Sequence, residues 1–293
     1  MISRKATSLV RLPAYAKLNL SLEVLGKRPD GYHEVLTVLQ TLSLADQVTL
    51  EPASSLSLIC NVHGLEGESN LAFRAAQALQ AATGYTGGAR IALEKRIPIA
   101  AGLGGGSTDA AVVLRGLNTL WKLGLTTEAL TPIAASLGAD VPFFLTGGTG
   151  LGSGRGDSIT PLRPLPPTAF VLLHPPIHLE RKTARLYGLL EPSHHSDGSH
   201  TRQVVEFIGK GVFQERMAYN IFDTVADMAY PDLAPYMRAF VNAGGWYAHL
   251  AGSGPTLFAV MHSPEEGEAV AAKLREQGHE AYAVTSVGPA TFP

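Results

Sequence analysis

Hydrophobic and polar residues alternate in several stretches of the first half of the chain and recur at helical spacing in others. The alternating stretches, which predict strands, are residues 18–26, 35–52, 55–60 and 89–98. The stretches with apolar residues on one helical face are 70–84, 107–123 and 126–138. Within 35–52, Asp46 is expected in a bend that precedes another strand. Asn70 is suited to cap the first helix, and Gly84 and Gly138 are suited to end helices.

The second half begins after the proline-rich stretch PLRPLPP at 161–167, which we interpret as a linker because proline disrupts helices and central strands. The glycine-rich stretch 146–158 before it predicts a hairpin or a bent strand. The patterns after the linker predict a strand at 168–176, helices at 202–209, 215–228, 231–243 and 264–278, a strand–turn–strand at 246–262 and a last strand at 279–287, with a polar loop at 192–202. Strands and helices mix without strict alternation, so the fold class is α+β. We expect one domain over 1–158 and another over 159–293.

Composition narrows the possible functions. The chain has 293 residues, of which 45% are hydrophobic and 16% charged, and its formal net charge is −2. This balance, without a lysine–arginine cluster, predicts no nucleic-acid partner. Arg11 and Lys17 interrupt the early apolar run, so we expect neither a secretory leader nor a membrane partner. The single cysteine, Cys60, fits a reducing compartment, and we predict a cytoplasmic protein without an obligate protein partner.

The stretch PIAAGLGGGSTDAA, residues 98–111, contains four glycines and no lysine. It lies between a predicted strand and a predicted helix, where backbone N–H groups and the helix N-terminus form a site for anions. The nucleotide loop G-x-x-x-x-G-K-[ST] requires a lysine, and the dinucleotide fingerprint requires an acidic residue about 20 positions later; both are missing. On these residues alone, phosphate binding and a tight structural turn are equally good interpretations.

Three separated motifs are more specific: AYAKLNLSLEV near the start, the glycine loop, and LAGSGPTLFAV near the end. In this order they resemble the motifs of the GHMP kinases, the family of galactokinase, homoserine kinase and mevalonate kinase. The resemblance implies two lobes, an S5-like N-terminal domain and a ferredoxin-like C-terminal domain. It also implies ATP as co-substrate with Mg²⁺, which Ser107 would contact. The residues expected to bind ATP are Pro98, Ile99, Ala100, Ala101, Gly102, Leu103, Gly104, Gly105, Gly106, Ser107 and Thr108 of the loop, and Asn70.

Two further stretches, RPDGYHEV and LGADVPFFL, resemble the branch of this family that phosphorylates a hydroxyl of a CDP-linked polyol. The resemblance implies that Tyr32 and His33 grip the cytosine, with Tyr187 as the opposite stacking face. The residues expected to bind this substrate are Asn19, Tyr32, His33, Tyr187, Gly252, Ser253 and Gly254.

The same resemblance makes Asp140 the base that accepts the hydroxyl proton and Lys17 the cation that keeps Asp140 ionised. Read without the family, Asp140 is a turn aspartate beside glycine and proline. Lys17 is then a lysine whose charged end reaches water from a strand edge.

Two alternative functions are open at this point. One is another GHMP kinase with a small substrate such as mevalonate or homoserine; Tyr32 and His33 argue against it. The other is a non-catalytic ligand sensor or an RNA-binding module on the same fold. Retention of Lys17, Asp140 and the intact loop argues against a sensor, and the acidic balance argues against RNA.

Overall fold

Two long strands organise the fold: β1, Val10–Lys27, and β2, His33–Ala53. The computed structural model describes residues 9–289. The other strands are β3 Ser57–Cys60, β4 Gly88–Glu94, β5 Thr149–Ser153, β6 Ser158–Pro161, β7 Ala169–His174, β8 Tyr219–Asn220, β9 His249–Leu250, β10 Leu257–Met261 and β11 Glu280–Thr285. The helices are α1 Leu71–Thr83, α2 Gly105–Leu120, α3 Thr127–Leu137, α4 Val141–Phe144, α5 Lys182–Leu189, α6 Ser199–Gly209, α7 Ala226–Ala229, α8 Ala234–Ala243 and α9 Pro264–Glu276.

The chain forms two compact units that are discontinuous in sequence. The first unit contains the residues up to Ala16, then Leu44–Ile97 and Gly104–Thr146. The second contains Lys17–Ser43, Pro98–Leu103 and the chain from Gly147 onward. The domains predicted from the sequence, 1–158 and 159–293, are continuous stretches and stay a prediction. No helix between residues 9 and 289 has the length and apolarity that crossing a bilayer requires.

In the first unit, helices lie on a sheet. Strand β4 pairs antiparallel with the end of β2, and β3 runs parallel to β4. Helices α1 to α4 pack on one another. Helix α2 also approaches the sheet closely, since a Cβ at Gly116 would lie 2.4 Å from Cδ1 of Leu50. The predicted caps of α1 are confirmed: the Asn70 side chain accepts a hydrogen bond from the backbone of Ala72, and Gly84 ends the helix in the left-handed region.

In the second unit, β11, β7, β10 and β9 form an antiparallel sheet in this order, and α9 packs on β7 and β11. Strand β5 pairs with β2 and with β6. The predicted hairpin at 146–158 is therefore confirmed. Strand β8 adds in parallel to β1, opposite Ser21 and Leu22.

Two predictions from the pattern are wrong. The bend expected at Asp46 does not occur, because β2 continues through this buried residue. The helix expected at 215–228 is replaced by short 3₁₀ turns, β8 and α7. Asn220 is the reason: its side-chain oxygen accepts the backbone N–H of Phe222, and its amide donates to Leu250 and Gly252. Such side-chain bonds to the backbone compete with a helix.

The beginning of α2 and the polar loop also differ from the pattern. Helix α2 starts at Gly105, two residues before the predicted Ser107, so two glycines of the loop form its first turn. The stretch predicted as a loop at 192–202 contains a 3₁₀ turn at Pro192–His194 and the beginning of α6.

Candidate active site

The first half of the glycine loop belongs to the second unit, and the backbone of β1 fixes it there. The N–H of Lys17 donates to the carbonyl of Leu103 at 3.0 Å. Ala100 and Gly102 have φ values of 55° and 86°. Glycine adopts the left-handed backbone conformation without steric cost, and Gly102 does so here. Ala100 is held in the same left-handed region although it has a side chain.

The loop then lies directly on the Gly-Ser-Gly turn, residues 252–254. A Cβ at Gly102 would lie 2.0 Å from the carbonyl oxygen of Ala251 and 3.1 Å from that of Gly254. Real Cβ atoms do not approach backbone so closely. Gly102 is therefore required by packing as well as by its φ angle.

The first motif reaches the same place through Lys17 and Asn19. A Cβ at Gly252 would lie 3.1 Å from Oδ1 of Asn19, 3.3 Å from Nζ of Lys17 and 3.3 Å from the carbonyl oxygen of Gly102. Parts of the three motifs, more than 200 residues apart at their extremes in the sequence, thus meet within the second unit.

Lys17 and Asn19 are both buried, with 4% and 5% of their surfaces exposed. The ammonium of Lys17 donates to Oδ1 of Asn19 at 2.6 Å, and Nδ2 of Asn19 donates to the hydroxyl of Thr37 at 2.8 Å. Thr37 in turn donates to the backbone carbonyl of Ser21. This chain of bonds fixes the orientation of the Asn19 amide and holds a buried cation beside the Gly-Ser-Gly turn.

Four side chains that the sequence analysis missed hold this turn. Asn220 donates to the carbonyl of Gly252 at 2.8 Å. The hydroxyl of Tyr230 donates to the carbonyl of Ser253 at 2.5 Å, and burial raises the pKa of Tyr230 to about 12, which keeps this donor protonated. Thr183 bonds the Ser253 hydroxyl at 3.0 Å, and Lys182 donates to the Gly254 carbonyl. None of these residues lies in a motif, so no sequence signal identified them.

The packing at Gly102 gives a test. We expect Gly102→Ala to destabilise the protein clearly more than Gly64→Ala, measured by urea unfolding. Gly64 has the same φ of 86°, but a Cβ there would meet no atom within 4 Å, so it isolates the backbone cost of about 1–2 kcal/mol. The excess at Gly102 then reports its contact with Ala251. Equal losses in the two variants would contradict that contact.

The residues expected at the cytosine form an aromatic group in the second unit. His33 stacks on Tyr187 with ring centroids 4.7 Å apart and an angle of 18° between the planes. Tyr32 is 58% exposed, and the guanidinium of Arg155 lies 5.2 Å from the centre of its ring. Burial, together with the charges of His195 and Lys27, lowers the pKa of His33. The His33 ring is therefore neutral at neutral pH, with one donor and one acceptor nitrogen.

The second half of the loop opens α2 in the first unit. Gly104, with φ of 75°, is the residue before the helix, and its carbonyl accepts the N–H of Thr108. A Cβ at Gly106 would meet nothing within 4 Å, so this part of the backbone faces open space. Ser107 is half-buried, whereas Thr108 is 1% exposed. The helix N-terminus with accessible backbone at Gly106 is the geometry that binds phosphate.

A buried ion triad lies beneath this helix start. Lys95 donates to Oδ2 of Asp109 at 2.6 Å and to Asp46. Its Nζ lies 3.4 Å from where a Cβ of Gly105 would be, which places the ammonium against the loop backbone. Asp46 also accepts the backbone N–H of Ile97 at 2.8 Å. The loop thus has a lysine beside it that its own sequence lacks.

The two carboxylates of the triad differ in their donors. Oδ1 of Asp46 accepts two backbone N–H groups, whereas Oδ1 of Asp109 is buried and has no hydrogen-bond partner among the described residues. Burial raises the pKa of Asp109 to about 7, although Lys95 favours its charged form. Burial also opposes the charge of Lys95, but attraction to Asp109 and Asp46 outweighs it and raises the pKa of Lys95. An added proton therefore goes to Asp109.

This assignment predicts the pH dependence of stability. Asp109 in the unfolded chain titrates near pH ~3.9, so the folded protein binds more protons between about pH 4 and about pH 7. Stability therefore falls as pH rises through this interval. The unfolding free energy of the wild type minus that of Asp109→Asn should decline by at least about 1 kcal/mol between about pH 5 and about pH 7. Urea unfolding of both proteins measures it, and a difference that grows with pH would contradict the assignment.

The remaining predicted residues lie in the first unit. Asp140 is half-buried and directly precedes α4, with Pro142 in the first turn of that helix. Asn70, besides capping α1, donates to the carbonyl of Leu65 at 2.7 Å.

Between residues 9 and 289 there is no cluster of three or more His, Cys, Asp or Glu side chains that would hold a metal ion by itself. A single hydroxyl such as that of Ser107 still fits Mg²⁺ bound to ATP, because this ion keeps several waters and takes substrate phosphates as ligands.

Comparison with known proteins agrees with these motifs. The model of the GHMP kinases N terminal domain matches residues 70–148, and that of the GHMP kinases C terminal domain matches residues 208–280. The 4-diphosphocytidyl-2-C-methyl-D-erythritol kinase of Dehalococcoides mccartyi is 39% identical over 282 residues, which cover 96% of this chain and 99% of the relative.

Solved structures give the same result. A crystal structure of 4-(cytidine 5'-diphospho)-2C-methyl-D-erythritol kinase superposes with a TM-score of 0.82 at 36% identity, over 95% of this chain and 100% of that one. Homoserine kinase from Cytophaga hutchinsonii superposes with a TM-score of 0.73 at 19% identity, over 99% of this chain and 98% of the other, and shows the fold alone. The chain therefore belongs to the GHMP kinase family, with the α+β fold of that family, and its full-length relatives are 4-diphosphocytidyl-2-C-methyl-D-erythritol kinases.

Proposed function

We propose that the protein transfers the γ-phosphoryl group of ATP to a hydroxyl of 4-diphosphocytidyl-2-C-methyl-D-erythritol, at position 2, in the non-mevalonate route to isoprenoid precursors. Two findings support this: near-full-length similarity to kinases named for that substrate, and the convergence of Lys17, Asn19 and Gly102 at the Gly-Ser-Gly turn. The proposal depends most on this convergence, because it places the buried ammonium of Lys17 beside the glycine loop and the Gly-Ser-Gly turn.

The glycine loop binds the ATP phosphates. Gly106 presents accessible backbone at the start of α2, and the helix dipole adds partial positive charge there. Mg²⁺, when bound with ATP, neutralises phosphate charge, and the hydroxyl of Ser107 is the group that would contact it. Asn70 is proposed to contact the adenine or ribose of ATP. Its side chain also accepts the N–H of Ala72 and donates to the carbonyl of Leu65.

Tyr32, His33 and Tyr187 bind the cytosine of the acceptor. Tyr32 offers an exposed ring face for stacking, and the neutral ring of His33 offers hydrogen bonds to the base edge. Tyr187, whose ring stacks on that of His33, is proposed as the opposite stacking face for the base. Gly252, Ser253 and Gly254 lie beside Lys17 and are proposed to hold the acceptor's diphosphate.

In the reaction the acceptor's hydroxyl oxygen forms a bond to the γ-phosphorus while the bond from that phosphorus to the bridging oxygen of ADP breaks. Asp140 accepts the hydroxyl proton, and Lys17 stabilises the negative charge that develops on the oxygen. Most of the rate enhancement in such transfers comes from positioning and charge stabilisation.

We place the enzyme in the cytoplasm, as the single Cys60 suits a reducing compartment. It acts on small molecules, without a nucleic-acid, membrane or obligate protein partner.

ADP release with a panel of acceptors tests the proposal. We expect turnover with the CDP-linked methylerythritol and no comparable turnover with mevalonate or homoserine. Replacing the CDP group by UDP reverses the donor and acceptor at position 4 of the base. Because an unpaired buried polar group costs about 1–3 kcal/mol, kcat/KM should fall at least roughly tenfold. Equal rates with the CDP-linked and UDP-linked acceptors would contradict the assignment of the cytosine site. Activity on mevalonate alone would contradict the proposed function.

Asp140→Asn tests the base. The change keeps the size of the side chain but removes its charge and basicity, so kcat should fall by about 10²–10⁴. Affinity for a non-hydrolysable ATP analogue, measured by calorimetry, should change little, because the loop and not Asp140 binds ATP.

The matched control is Asp232→Asn, the same substitution at an exposed aspartate of the second unit. It should leave kcat at the wild-type value. If Asp140→Asn also kept near-normal kcat, Asp140 would be a turn residue and a different group would have to accept the proton.

A further inference from the structure

One lysine outside all three motifs connects the glycine loop with the Gly-Ser-Gly turn. Lys182 is the first residue of α5 and follows Arg181, which has a left-handed φ of 49°. Its ammonium donates to the backbone carbonyl of Ala100 at 2.5 Å and also to that of Gly254. All four residues belong to the second unit. A single cation therefore holds a carbonyl from each of the two glycine-rich segments.

The Gly254 carbonyl that Lys182 bonds also lies at the close contact between the glycine loop and the Gly-Ser-Gly turn. The carbonyl oxygens of Ala251 and Gly254 both lie within 3.1 Å of the place that a Cβ at Gly102 would take. Hydrogen bonds from an ammonium are roughly twice as strong as those between neutral groups. Lys182 thus links the loop to the turn through two charge-assisted hydrogen bonds.

The backbone at Ala100 points to the same function. A non-glycine residue at φ of 55° is held in a conformation that is costly by itself. Such conformations persist where surrounding contacts impose them, and they concentrate at functional sites. The bond from Lys182 is a contact of this kind at the carbonyl of Ala100.

The lysine also borders open space. A cleft of about 670 Å³ is lined by Lys182 together with Ala100, Arg181 and His178. Glu180 is the one acidic residue in this lining, against the two basic residues Arg181 and Lys182. The lining therefore has one more basic than acidic side chain, and this small excess favours an anionic ligand.

We propose that Lys182 is a positioning residue of the phosphate site: it fixes the glycine loop against the Gly-Ser-Gly turn and supplies positive charge that the loop sequence lacks. The inference rests on the proposed function for the identity of the ligand, ATP. It does not place Lys182 at the reacting atoms, which Lys17 and Asp140 are proposed to contact.

The test compares Lys182→Met with Lys210→Met. Methionine keeps most of the length of the side chain and removes its charge and donors. Lys210 is an exposed lysine paired with Glu206 in α6 and serves as the matched control. We expect Lys182→Met to weaken binding of a non-hydrolysable ATP analogue at least roughly tenfold, the effect of losing one to two charge-assisted hydrogen bonds. KM for ATP should rise by a similar factor, with a smaller change in KM for the acceptor.

A second readout needs no ligand. The N–H of Gly254 donates to the carbonyl of Ala251, and the N–H of Ala251 donates to that of Thr256. Hydrogen exchange at these two amides should be faster in Lys182→Met than in the wild type, while amides of β7 stay unchanged. Lys182→Arg, which keeps charge and donors, should restore part of both effects, which a loss of side-chain packing alone would not predict.

Wild-type affinity and unchanged exchange in Lys182→Met would overturn the inference. If this variant does not fold, Lys182→Gln is measured in the same way, and wild-type behaviour there has the same consequence. If the wild type binds the ATP analogue but phosphorylates none of the acceptors, the proposed function fails. The ratio of affinities between wild type and variant still decides the role of Lys182.

Discussion

The glycine loop and the Gly-Ser-Gly turn lie so close together that no carbon atom fits between them at Gly102, and the candidate site depends on this contact. Ala251 lies where a side chain at Gly102 would be. The same closeness places Gly252 beside Lys17 and Asn19. Backbone that approaches backbone leaves N–H and carbonyl groups, not side chains, to face a ligand. We assign a polyphosphate to this backbone in the proposed function, because phosphate oxygens accept hydrogen bonds from backbone N–H groups.

The positive charge around the loop comes from lysines that are distant in sequence. Lys95 lies under the start of α2 in the first unit, shared by Asp46 and Asp109. In the second unit, Lys17 is buried beside Gly252, and Lys182 bridges two carbonyls. A side chain at Gly102 would occupy the space that the backbone of Ala251 takes. We infer that these lysines attract phosphate while the glycines keep their close contacts.

The carboxylates show how their surroundings separate structural from chemical roles. Asp46 accepts backbone N–H groups from the segment after β4 and so anchors the approach to the loop. Asp109 has a buried oxygen for which the described residues supply no donor, which makes it the proton acceptor of the triad. Asp140 is half-buried at the beginning of α4 and is the carboxylate to which we assign the acceptor's proton. The residue type is the same in all three; hydrogen-bond donors and burial decide what each does.

The sequence alone determined the family, the α+β class, most helices and strands, and the three motifs, because these depend on local periodicity and on residues that are adjacent in the chain. The α1 caps and the hairpin at β5–β6 followed from the same local rules. The helix expected at 215–228 failed because Asn220 bonds to Leu250 and Gly252, some 30 residues away. Only the tertiary structure decided that Lys182 and Tyr230 contact the glycine segments of the second unit. It also decided that the Lys95 triad lies under the start of α2 in the first unit. Their contacts join positions far apart in sequence, and no local pattern records which distant carbonyl or carboxylate a side chain will meet.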